Sequence, residues 1–215
     1  MQTPPPPALV LIAIHVVLSF RAFRSSILFD RLSLRIGALN RGEHYRLLTA
    51  GLIHVDQSHL LFNMISFYFF AAPVYYALGG LRFVCLYGIS LLAGNLLAWA
   101  YHWKNKHYTA VGASGAVSGI VFSAILLYPE MQLALIFLPI PMPGYVFALG
   151  YLGYTLYGIY AQSDRIGHSA HFGGALGGIL LSALWEPQTV WQQSLVLGAS
   201  LVVCLGVGIL IYKNQ

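Results

Sequence analysis

Residues 112–127 read GASGAVSGIVFSAILL. No charge interrupts them, and Gly115 and Gly119 recur at the four-residue spacing that stacks two positions on one helix face. Such a run suits lipid, where every backbone N–H and C=O has to be satisfied within its own element, as a helix does. The chain shares this character throughout. It is 58% hydrophobic and 8% charged, against roughly 25% charged residues in soluble domains, and its mean hydropathy is +0.72. Outward from 112–127, further apolar runs cover 8–23, 59–78, 81–103, 144–161, 170–185 and 190–212, and the central run itself extends over 113–128. At about 20 residues per crossing, they predict an all-α, polytopic membrane helix bundle of seven spans. A chain of 215 residues then has no room for a separate soluble domain.

Between the spans the sequence is uneven. The connection 24–58 is the only long one and mixes charges with Ile36, Leu39, Leu47 and Leu48, which predicts a folded loop partly embedded at the interface. Segment 130–143 (EMQLALIFLPIPMP) is apolar, too short to cross and closed by three prolines, so it is expected to be interfacial or re-entrant. Residues 1–7 lack a basic region, and the run after them is read as a retained helix preceded by a short lead-in. The formal charge of +5 is spread over loops between apolar spans, which points to anionic membrane lipids and away from nucleic acid. Cys85 and Cys204 both lie inside apolar runs, so no disulfide framework is expected.

Polar side chains inside spans are costly and therefore informative. Ser114 opens the fourth span, His171 opens the sixth, and both spans carry Gly-x-x-x-Gly faces (Gly115 and Gly119; Gly173, Gly174, Gly177 and Gly178) that let helix backbones approach closely. A serine hydroxyl becomes a nucleophile only when a base takes its proton, and a buried, neutral His171 is suited to that task. The six acids, Asp30, Glu43, Asp56, Glu130, Asp164 and Glu186, fall in loops or at span ends. A Ser-His dyad is therefore expected, without a third carboxylate. His59 and Asn63, four apart on the second span, stand on one face as candidate hydrogen-bond donors to an oxyanion. A metal site built from His54, His59, His168 and His171 would lack carboxylate or thiolate ligands at suitable spacing, so neither metal nor other cofactor is expected.

GASG around Ser114, HLLFNM over 59–64, HSAHFGGALGG over 168–178 and the lead-in EHYRLLTAGLIH over 43–54 resemble the signature segments of rhomboid intramembrane proteases, in that family's order. The resemblance covers about residues 8–186. It implies a six-helix protease core there, an additional C-terminal helix over 187–215, and cleavage of transmembrane or juxtamembrane segments of membrane proteins. It assigns Ser114 as nucleophile, His171 as base, His59 and Asn63 as oxyanion donors, and Phe62 as part of a lateral substrate gate. Two positions depart from the family pattern. Tyr45 precedes Arg46 where tryptophan is common, and Ser118 stands where many members carry an aromatic stacked on the catalytic imidazole. Tyr154, Tyr157 or Phe172 is expected to hold the His171 ring instead. An inactive, client-binding relative and a transporter are the competing readings; retention of both Ser114 and His171 argues against the first, and the lack of paired interrupted spans argues against the second. Ten of the eleven Lys and Arg, all but Arg82, fall on the face where Ser114 and His171 begin their helices. The positive-inside rule sets that face toward the cytoplasm. The resemblance implies instead a bacterial inner membrane protein whose site opens to the extracytoplasmic side, and that is the orientation expected here.

Overall fold

The computed structural model describes residues 3–135, 138–161 and 166–214. The first two residues of the lead-in, Ile136 and Phe137 of the 130–143 segment, and the loop with Asp164 and Arg165 lie outside the described residues. In chain order come α1 (Pro6–Phe23), α2 (Ser26–Leu32), β1 (Leu34–Arg35), α3 (Ile36–Leu39), α4 (Arg46–Thr49), a 3-10 turn (Ala50–Leu52), α5 (Gln57–Leu78) and α6 (Gly80–His102). They are followed by β2 (Thr109–Ala110), α7 (Ser114–Leu127), β3 (Gln132–Leu135), β4 (Leu138–Pro143), α8 (Gly144–Ala161), α9 (His168–Trp185), α10 (Pro187–Trp191) and α11 (Ser194–Asn214). Each predicted span has its helix, so the chain is an all-α polytopic bundle. The seventh begins later than its apolar run, because Val190 belongs to the separate α10, which Pro187 opens.

Among the described residues, α1, α5, α6 and α11 are long and apolar enough to cross a membrane by length and composition. Helices α8 and α9 have 18 residues each but dilute their apolar content with tyrosines, histidines and glycines. Helix α7 has only 14 residues and is buried along nearly all of its length.

The centre is a trio of α6, α7 and α9, and the glycines explain why it forms. A Cβ at Gly174 would lie 1.9 Å from the Gly115 carbonyl oxygen, and one at Gly178 would lie 2.2 Å from the Gly119 carbonyl oxygen. On the third side, a Cβ at Gly94 would meet the Ala170 carbonyl oxygen at 2.5 Å and one at Gly173 the Ala93 carbonyl oxygen at 2.6 Å. Backbone therefore packs on backbone, a contact only glycine permits. Across the α7–α9 seam, Ser182 Oγ donates to Ser123 Oγ (2.9 Å), which donates to the Gly178 carbonyl (3.2 Å).

The first loop has a small core of its own, formed by Leu34, Ile36, Leu39, Leu47 and Ala50. Its anchor is the buried Arg46 guanidinium, which donates to Glu43 Oε2 (2.8 Å), to the Ser33 carbonyl (2.8 Å) and to the Asp30 carbonyl. Arg46 holds the half-buried Glu43 carboxyl below its ordinary range by hydrogen bonding. Antiparallel pairing of β1 with β2, Leu34 opposite Ala110 and Arg35 opposite Thr109, ties this loop to the segment that leads into Ser114.

Segment 130–143 is a β-hairpin, β3 paired antiparallel with β4, where the sequence suggested only an interfacial or re-entrant piece. Prolines 139, 141 and 143 are compatible with pairing because alternate amides of an edge strand face away from its partner.

Candidate active site

Ser114 is the first residue of α7, with Ala113 at its N-cap. The tight entry into the helix is made by Gly112, whose φ of +129° suits glycine and whose N–H donates to the Ala50 carbonyl (2.9 Å). Gly112 thus lies just before α7, where the sequence reading had placed it on the span. A Cβ there would approach His59 Cε1 to 2.6 Å, so the missing side chain is the space the His59 ring uses. His59 is three residues into α5, whose N-cap Asp56 accepts the His59 N–H (2.7 Å). One turn on, the buried Asn63 donates one amide hydrogen to the His59 carbonyl (2.9 Å) and keeps the other for a further acceptor.

His171 is on the first turn of α9, which the Gly115–Gly174 contact presses against the start of α7. Ser114, His171, His59, Asn63 and Phe62 all line one cavity of about 1180 Å³, together with Asp56, Ser118, Tyr151, Gly112 and Gly167. Asp56 is the one carboxylate lining it among the described residues. The cavity continues along α5 past Ser66, Phe69 and Phe70 to Leu133, Ala134 and Met142 of the hairpin. It is therefore a groove between α5 and α8 that reaches beyond the polar cluster. Phe62 is 42% exposed at its side. Among the described residues, no group of three His, Cys, Asp or Glu is placed to hold a metal ion.

Behind the cavity, His54, which the sequence places close to the site, joins residues of α1 and α6 that the sequence does not mark. His54 is fully buried, and its Nε2 accepts the Ala113 N–H (3.4 Å), which leaves Nδ1–H to donate to Ser19 Oγ (3.0 Å). Burial, with lesser repulsion from His59 and His15, lowers its pKa from 6.5 to about 3. A neutral His54 thus braces the residue before Ser114 against α1 and stands edge-on to the His59 ring, centroids 5.1 Å apart. Deeper on α1, His15 Nδ1 donates to the Leu11 carbonyl (2.6 Å), so its Nε2 accepts the Tyr87 hydroxyl (2.9 Å). The closeness of His54 to the site in sequence hints at this cluster, whereas His15, Ser19 and Tyr87 carry no such signal.

Of the three aromatics expected against His171, Tyr154 packs edge-on against His168 (5.0 Å), Tyr157 is 62% exposed and Phe172 is buried in the apolar core. The Tyr151 ring also lies nearly parallel to that of His171, centroids 6.3 Å apart at 19°, and the His168 ring stands at 6.4 Å and 63° to it.

Comparison with known proteins adds family to geometry. The Rhomboid domain matches residues 41–188. "RHOMBOID-like protein 12, mitochondrial" of Arabidopsis thaliana is 26% identical over 182 residues, 78% of this chain and 54% of that protein. "Rhomboid protease GluP" of Bacillus subtilis is 30% identical over 174 residues, 80% of this chain and 32% of that protein. "Putative rhomboid protease YdcA" of the same species is 40% identical over 85 residues, 40% of this chain and 41% of that protein. The chain thus spans from about a third to about half of the length of these relatives.

Proposed function

The chain belongs to the rhomboid family, and from that premise we propose that it is an intramembrane serine endopeptidase acting by a Ser114–His171 dyad on transmembrane or juxtamembrane segments of membrane proteins. The observation that carries the proposal is the single cavity that Ser114, His171, His59 and Asn63 line together, at a helix junction closed by backbone contact. His171 accepts the Ser114 proton as Oγ attacks the scissile carbonyl, then returns it to the leaving amine. The negative charge that develops on the carbonyl oxygen is met by the Ser114 N–H at the start of α7, by His59 and by the free hydrogen of the Asn63 amide. Water then hydrolyses the acyl-enzyme by the same route.

The groove between α5 and α8 supports a substrate that arrives sideways from the bilayer, past Phe62. A substrate helix has to unwind locally there, since its carbonyls are otherwise bonded within the helix. In this reading the chain resides in a bacterial cell membrane, with the site opening to the extracytoplasmic side; its relatives include both Bacillus subtilis and mitochondrial proteins. Residues 8–186 form the protease core in this reading, and 187–215 the added helix.

The test is reaction of the purified full chain with a fluorophosphonate serine-hydrolase probe, alongside cleavage of a reporter transmembrane substrate. Wild type is expected to label and cut, and Ser114→Ala to do neither while unfolding at the same temperature. Cleavage that survives Ser114→Ala would overturn the assignment. A folded wild type that neither labels nor cuts would point to a client-binding relative.

A further inference from the structure

The hairpin at the far end of the cavity has two unlike edges. The Gly144 N–H donates to the Met131 carbonyl (2.9 Å), which makes 131 and 144 a bonded pair at the root of the ladder. Pairs of an antiparallel ladder alternate, so Leu133 and Met142 bond one another as well, whereas Gln132 and Pro143, opposite each other between them, turn their backbone groups outward. Along β3 the same alternation turns Ala134 outward, and along β4 prolines 139, 141 and 143 recur at the two-residue spacing of the outward positions. Proline has no N–H, so the outer edge of β4 offers no donor at these positions and cannot take a further strand. The outer edge of β3 keeps the N–H and C=O of Gln132 and of Ala134, and both residues are exposed. Among the described residues, no backbone hydrogen bond outside the hairpin uses them. Such an edge is a template for one more strand. Leu133 and Ala134 line the cavity that Ser114 and His171 also line, together with Phe69 and Phe70 of α5.

We propose that the outer edge of β3 receives the membrane-ward part of the substrate as an added strand. The inference rests on the intramembrane protease reading and names what holds a substrate once its helix has unwound. An unwound segment carries N–H and C=O groups that hydrocarbon cannot satisfy, and so does the β3 edge; each set answers the other. The β4 prolines confine that pairing to one edge of the hairpin. From Ser114 the cavity runs along α7 past Val117 and Val121 to Phe122, about 12 Å at 1.5 Å per residue. An extended chain covers that distance in about four residues, so pairing begins about four residues from the scissile bond.

The experiment is cleavage of a reporter by the full chain in proteoliposomes. The reporter is a transmembrane segment of leucine and alanine with a Gly-Ala pair at its extracytoplasmic end and a soluble tag on each side. Ala134→Pro removes an outward N–H and leaves the ladder whole, as the β4 prolines do in the native hairpin. It is expected to lower kcat/KM about tenfold, the scale of one polar group left unpaired in a dry site. Ala134→Val keeps the N–H and is expected to stay within about threefold of wild type. A proline scan of the reporter over two helical turns on the membrane side of the Gly-Ala bond should give wild-type rates that alternate with period two, and Ala134→Pro should lose the alternation.

Wild-type kinetics in both Ala134→Pro and Gln132→Pro would overturn the proposal. So would a scan with the period of a helix, or an Ala134→Val variant as slow as Ala134→Pro, which would make β3 a wall and not an edge. Should Ala134→Pro melt below wild type, the scan on the wild-type chain decides alone. With Cys85→Ala and Cys204→Ala in place, an Ala134→Cys chain that crosslinks to its own copies would give the edge to a second copy and sink the proposal. Each of these results leaves the Ser114–His171 reading standing. That reading falls, and this inference with it, if wild type reacts with the fluorophosphonate probe no faster than Ser114→Ala.

Discussion

Replacing Gly174 by alanine tests the seam on which the site is built. The added Cβ would lie 1.9 Å from the Gly115 carbonyl oxygen, with the Gly115 carbonyl carbon and Cα at 2.5 and 2.8 Å. Ordinary contact begins at 3.4 Å, so α7 and α9 have to part locally by about 1.5 Å. No rotamer change relieves the clash, because every atom the Cβ meets is backbone. Overpacking of this kind costs about 1–3 kcal/mol in a core. The wedge also sits between Ser114, which precedes Gly115, and His171, one turn before Gly174. A misplacement of about 1 Å between reacting groups costs on the order of 100-fold in rate. Gly174→Ala is therefore expected to lose far more activity than stability. Gly115→Ala, whose Cβ would stand 3.2 Å from the Ala170 carbonyl oxygen, should show a mild version. Gly198→Ala on α11, with nothing within 4 Å, should be neutral or stabilising by up to about 1 kcal/mol. The assays are cleavage of a reporter substrate in proteoliposomes and thermal unfolding in detergent. Gly174→Ala activity and melting indistinguishable from those of Gly198→Ala would refute the reasoning.

Three further outcomes follow from the same geometry. His59→Ala and Asn63→Ala are each expected to slow cleavage about 10- to 1000-fold while the other donors remain; wild-type rates in both would reduce them to packing residues. His54 is neutral when folded and titrates near 6.5 when unfolded, so its stabilising effect is complete above pH 6.5 and is lost as pH falls toward 3. The gap between 6.5 and about 3 corresponds to roughly 5 kcal/mol. His54→Gln should flatten the loss of thermal stability between pH 7 and 4, and parallel curves for the two proteins would exclude His54 as its source. Arg41→Cys should react with a membrane-impermeant maleimide on intact cells; reaction only after lysis would put the first loop in the cytoplasm, as the positive-inside rule has it.

The bundle was legible because lipid leaves a long apolar run only one conformation, so run and helix coincide to within a few residues from α1 to α9. The hairpin was not legible. Its strands are as apolar as a helix, and no Gly or Asn marks a turn. The internal order of the first loop also stayed hidden, since Arg46 spends its hydrogen bonds on the carbonyls of Asp30 and Ser33, far from it in sequence. Ser114, His171, His59 and Asn63 stood out as polar residues in glycine-faced or apolar helices. Tyr151 did not, being one of five tyrosines on α8, and only packing decides which of them turns inward.

The shortness of α7 has a consequence for where a substrate is cut. Fourteen residues rise about 21 Å, against about 30 Å of hydrocarbon. An upright α7 with Leu127 at one boundary would hold Ser114 about 9 Å beneath the other. The proposed nucleophile would then keep a fixed height above one leaflet surface, while the bilayer around it can thicken or thin with lipid chain length. Lipid then acts as a ruler: each added 1.5 Å of hydrocarbon offers Ser114 a bond about one residue further along a helical substrate, a displacement readable in the masses of the released fragments.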